Sequence, residues 1–192
     1  MPWTPLELLV TNDLLRVLDL IGVFVMGLAS GALAARLRFD AVGFAIIGIA
    51  AGLGGGLVRD LILNYGTPAA FDGPPWYLAC ALAGSLVAFL ISPDGPWWRR
   101  AVTALDIAAM ALWAATGTAK SIGYGLDPPL PAILLGVMSA VGGGVIRDVL
   151  VGGRIPRDLR RRPLYATGAL VTAICTWGGV IALKIPSPLV LV

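Results

Sequence analysis

The chain has 192 residues, of which 58% are hydrophobic and only 13% charged, with a mean hydropathy of +0.87. A soluble domain carries about a quarter charged residues, so this composition excludes one and points to a single all-α polytopic membrane domain over 1–192. Histidine is absent, which removes His-based triads, zinc sites and imidazole switches, and the net charge of +3 comes from loop arginines that imply no nucleic-acid partner.

Residues 1–19 carry Glu7, Asp13, Arg16 and Asp19 and lack the basic start and clean apolar core of a cleavable signal, so the first span is predicted to direct its own insertion. Six segments are apolar enough to cross a bilayer: 18–36, 41–64, 75–92, 101–122, 130–151 and 164–184. Asp19 opens the first, and Asp40 is placed to cap the second. Trp76 and Tyr77 flank the third and Trp97 and Trp98 precede the fourth, as interfacial anchors do. The fourth is the weakest, because Asp106 and Lys120 leave only 107–119 free of charge. Asp127, followed by Pro128 and Pro129, is placed to cap the fifth. Cys80 and Cys175 lie in apolar runs and read as small buried hydrophobes rather than a disulfide.

Basic residues orient the spans. Arg36, Arg38, Arg99, Arg100, Arg154, Arg157, Arg160, Arg161 and Arg162 all fall on one side when the N-terminus is outside. The last five of these can also attract anionic headgroups. The N-terminus is thus expected to be external.

The segment from 52 reads Gly-Leu-Gly-Gly-Gly-Leu-Val-Arg-Asp, and that from 141 reads Val-Gly-Gly-Gly-Val-Ile-Arg-Asp. A shift of 88 residues superimposes Gly54, Gly55 and Gly56 on Gly142, Gly143 and Gly144, and Arg59-Asp60 on Arg147-Asp148. It also places Tyr77 on Tyr165, while Asp19 and Asp106 correspond after a one-residue slip. Three spans per half make the copies, 14–92 and 101–184, an inverted repeat of the kind that places a path near the midplane.

Consecutive glycines cost a helix about 1 kcal/mol each relative to alanine. They permit a kink whose carbonyls can replace part of a cation's hydration shell, or close packing between helices. Charged side chains inside a span face a partner or a hydrated cavity. Matching depths pair Asp19 with Arg59 and Asp106 with Arg147 as symmetry-related contacts, serving either anchoring or conduction. Lys120 stands apart, since its repeat counterpart is Leu33; without a symmetric partner it either gates a path, holds an anion or snorkels to the headgroups. Thr116, Thr118 and Ser139 supply hydroxyls for a constriction.

The duplicated Gly-Gly-Gly-x-x-Arg-Asp, with an aspartate opening the first helix of each half, resembles the bacterial branch of the TRIC (trimeric intracellular cation) channel family, also labelled a glycine transporter family. The resemblance covers about 14–184. It implies a homotrimer in membrane lipid, one ion path per protomer, kinked second and fifth helices lining it, and potassium and sodium as permeant ions. It implies no cofactor. The family's seventh helix would only be starting at 185–192. The resulting expectation is a passive potassium channel, with secondary transport of glycine or another small zwitterion as the alternative. An enzyme is not expected, because no nucleophile–base or metal-ligand constellation is present.

Overall fold

A computed structural model describes residues 5–64, 66–72, 74–91, 95–126, 128–152 and 165–182. Six α-helices follow one another: α1 (Pro5–Arg36), α2 (Ala41–Leu63), α3 (Trp76–Ile91), α4 (Pro96–Gly123), α5 (Pro129–Leu150) and α6 (Tyr165–Ala182), with a 3-10 turn at Ala69–Phe71 between α2 and α3. Four contain stretches long and apolar enough to cross a membrane: Arg16–Arg36, Ala41–Leu63, Pro96–Ile122 and Pro129–Leu150. The other two, Trp76–Ile91 and Ala166–Ile181, are equally apolar in character but shorter. The fourth span, weakest by sequence, thus qualifies, while the third and sixth fall short of full length.

Two helices begin earlier than hydropathy places them. α1 starts at Pro5 rather than 18, because proline is accepted in a first helical turn and no breaker follows before the apolar stretch. Charge at Glu7, Asp13 and Arg16 moves the membrane entry point without ending the helix. α4 likewise starts at Pro96, after Gly95, so Trp97, Trp98, Arg99 and Arg100 belong to its first turn. Asp40 caps α2 as expected, its Oδ1 accepting the Gly43 amide at 2.8 Å. Asp127, residues 153–164, which include the five-arginine loop, and 185–192 lie outside the described residues.

Helices within one half have packing counterparts in the other. α1 packs on α2 and α3, and α4 packs on α5 and α6; α2 meets α5 and α1 meets α4 between the halves. Small residues allow this closeness, since lipid supplies no hydrophobic drive to press helices together. A methyl on Gly27 would strike the Ala81 carbonyl, and one on Gly84 would strike the Phe24 carbonyl, so α1 and α3 touch backbone to backbone. The core joins Val23, Met26, Ala51, Leu53, Tyr77, Met110, Trp113 and Ala140. Both cysteines are free thiols rather than a disulfide; Cys80 is half-buried, and only the expected burial of Cys175 fails, since it is exposed on α6.

Candidate functional site

Helical hydrogen bonding runs unbroken through both glycine triplets, since α2 extends to Leu63 and α5 to Leu150. Unwound backbone with free carbonyls is therefore not what the glycines provide. They provide a crossing. A Cβ on Gly55 would strike the Ser139 carbonyl, and one on Gly143 would strike the Ala51 carbonyl. Gly142 faces Gly55 itself, where an added Cβ would stand 3.2 Å from its Cα. Gly54 faces Ile146, and Gly144 is buried. Gly56 differs: nothing but the Arg59 guanidinium comes near a Cβ there, at 3.8 Å, so this face of the triplet looks into open space.

That space is a cleft of about 320 Å³ including its mouth, bordered by Asp19, Gly56, Arg59, Tyr77, Trp113 and Ser139, among others. One turn beyond the triplet, Arg59 and Asp60 are 3% and 8% exposed, burial that demands pairing. Arg59 donates through Nε to Asp60 Oδ1 at 2.8 Å, and its Nη1 lies 3.5 Å from the Ser139 hydroxyl of α5. Lys120 of α4 donates to the same Asp60 oxygen at 3.2 Å. The second oxygen, Oδ2, accepts the Ala69 amide of the 3-10 turn at 3.0 Å. Asp60 thereby ties α2, α4 and the turn together.

Asp19 stands at the other side of the cleft, where its Oδ2 accepts the Tyr77 hydroxyl at 2.9 Å. Arg59 and Lys120 thus face Asp60 and Asp19, and the formal charges of these four cancel. In the second half, Arg147 and Asp148 are 6% and 2% exposed and pair with each other at 3.0 Å. Asp106 is buried in α4.

Three sequence-based placements change. Arg59 makes its ion pair with Asp60 rather than Asp19, because the adjacent carboxylate is nearer than one on another helix. Lys120 is held by Asp60, not left without a partner. Tyr77, expected to sit at the membrane interface, is only 7% exposed and points its hydroxyl inward to Asp19, whereas Trp76 is 56% exposed and Trp97 77%. The repetition of Tyr77 as Tyr165 was the available clue. Trp113, which borders the cleft, carried no sequence signal beyond its size.

Among the three hydroxyls, only Ser139 borders the cleft. Thr118 is fully buried, bonding back to the Ala114 carbonyl of its own helix at 2.8 Å and abutting Gly136. The buried Thr116 hydroxyl has no hydrogen-bond partner among the described residues. No group of three or more metal-ligating side chains occurs among the described residues.

Comparison with known proteins agrees with this architecture. The profile of the glycine transporter family matches two segments of equal length, 16–93 and 103–180, one in each half. A UPF0126 membrane protein of Deinococcus radiodurans is 38% identical over 161 residues, covering 83% of this chain and 74% of the relative. The Escherichia coli K12 inner membrane protein YadS is 33% identical over 82% of this chain and 74% of its own length. Among solved structures, the TRIC trimeric intracellular cation channel orthologue from Rhodobacter sphaeroides superposes with a TM-score of 0.78 at 31% identity, covering 93% of this chain and 89% of that one. The chain belongs to the glycine transporter family, the bacterial branch of the TRIC channels, and is a membrane protein and not an enzyme.

Proposed function

We propose that the chain is a passive cation channel, carrying potassium and other monovalent cations such as sodium along the cleft beside the α2–α5 crossing. One observation carries the reading most: each buried arginine of the repeat is paired with its own aspartate. An unpaired Arg59 would repel a cation, since two unit charges at 4 Å interact by about 4 kcal/mol at an effective dielectric of 20. Asp60 and Asp19 together balance Arg59 and Lys120, so the arginine imposes only a small barrier, and Asp19 and Ser139 offer oxygens on the cleft wall.

In this proposal Gly55 and Gly143 set the spacing of the two path-lining helices, and Gly56 leaves the room between them. The two halves act as an inverted repeat, and three copies assemble, each with its own path, in a bacterial cytoplasmic membrane with the N-terminus outside. Supporting it are the inner-membrane relative and the Rhodobacter sphaeroides cation channel orthologue, which is trimeric.

Flux into proteoliposomes tests the activity. Rubidium uptake that rises linearly with concentration, with no saturable glycine uptake, is the expected result. Saturable glycine uptake competed by unlabelled glycine, without rubidium flux, would replace the channel by a zwitterion transporter.

A further inference from the structure

At the end of the bundle opposite Asp60, α1 stops and α4 begins. The α1 terminus closes in a Schellman arrangement, in which the Phe39 amide reaches the Ala34 carbonyl at 3.1 Å and the Arg38 amide reaches Ala35 at 3.1 Å. Arg38 consequently sits at φ 56°, a left-handed position that glycine usually fills and that costs a side-chain-bearing residue about 1–2 kcal/mol. Trp98, in the first turn of α4, packs into the small cluster of Leu28, Ala34, Phe44 and Ala88, alongside Ala35 and Phe39. That contact brings Arg99 and Arg100 to the same corner as Arg36 and Arg38.

All four arginines are exposed, and none pairs with an acidic side chain among the described residues. Among the described residues at this corner the aspartate is Asp40, which is engaged as the α2 cap. The same end of the bundle carries exposed apolar residues: Val42 is 63% exposed, and Leu90, Ile91 and Trp97 are more than half exposed. The T-shaped contact of Phe44 with Phe89, at 5.0 Å between centroids, keeps the α3 end carrying Leu90 and Ile91 beside the start of α2. Exposed arginines and bare aliphatic residues at one end of the bundle match a phospholipid with an acidic headgroup. Guanidinium binds phosphate with paired donors, and the alkyl wall accepts an acyl chain.

We propose that Arg36, Arg38, Arg99 and Arg100 form a binding site for the phosphate of an anionic phospholipid in the adjoining leaflet, with Trp97 and the Val42–Ile91 surface against its acyl chains. The site is separate from the cation path, and it stands whether or not the chain conducts. Each arginine near an anionic surface contributes about fivefold to binding.

Native mass spectrometry of the detergent-purified full chain, titrated with phosphatidylglycerol or phosphatidylcholine of matched chains, tests it without depending on membrane orientation. Wild-type protein is expected to retain phosphatidylglycerol at least about tenfold more strongly than phosphatidylcholine. The quadruple R36Q/R38Q/R99Q/R100Q variant loses that preference, and the quadruple lysine variant keeps part of it. The half-variants R36Q/R38Q and R99Q/R100Q, each milder for folding, each lose a substantial share. Equal retention of the two lipids by wild type, or an undiminished preference in both half-variants, would overturn the proposal. So would full displacement of the lipid by millimolar inorganic phosphate, which would show a phosphate site without a lipid wall.

Discussion

The two Arg-Asp pairs share a sequence but not a setting. Asp60 takes Lys120 from across the repeat boundary, whereas the position that would approach Asp148 by the same symmetry is Leu33, which has nothing to donate. Asp60 also holds the Ala69 amide; the repeat counterpart of Ala69 is Arg157, outside the described residues. Lys120 and the turn make the Asp60 end a junction of three elements. An internal repeat sets where charge is buried; the asymmetric residues set what that charge joins.

The largest expected effect comes from breaking that junction. Asp60→Asn leaves Arg59 and Lys120 without their carboxylate, and removing one partner of a buried pair costs about 3–5 kcal/mol. Thermal unfolding in detergent should show that loss for Asp60→Asn, and the double Arg59→Gln, Asp60→Asn variant should recover much of it. An unchanged melt for Asp60→Asn would remove the junction's part in holding the helices together.

Next comes the crossing itself. Gly55→Ala and Gly143→Ala each drive a methyl into a facing carbonyl, an overpacking cost of about 1–3 kcal/mol. Gly56→Ala meets only an ordinary contact, so its melting temperature should match or exceed wild type. Lys120→Met removes one charge-assisted bond from a side chain that is 21% exposed, so about 1 kcal/mol is expected after solvent screening. Tyr77→Phe is comparable or smaller, deleting one hydrogen bond to Asp19 at about 1 kcal/mol. Circular dichroism melts of the five variants rank these directly.

Much of this was legible in the residues. Hydropathy located the six helices, the duplicated triplet marked the α2–α5 crossing, and Asp40 announced its cap. What failed was rotational. Depth along a span carries no information on which face of α4 turns toward α2, so Lys120 was left without Asp60 as its partner. The same lack made Asp19 look like the partner of Arg59 when Tyr77 was facing it. Tyr77 itself was misplaced because an aromatic at a span end usually meets headgroups, and only packing beside Asp19 shows otherwise. Thr118 looked available for a path, yet a threonine on a helix readily bonds back to the carbonyl four residues earlier, as this one does.

Gly56 offers the most direct test of the path, because a side chain there enters the cleft while leaving the crossing untouched. Planar-bilayer recordings of wild type and Gly56→Leu under a potassium gradient compare the two, with the variant first shown to melt and assemble like wild type. Discrete wild-type currents reversing near the potassium potential, with conductance cut at least severalfold in Gly56→Leu, are predicted. Undiminished currents through the folded variant would place the path elsewhere and contradict the account.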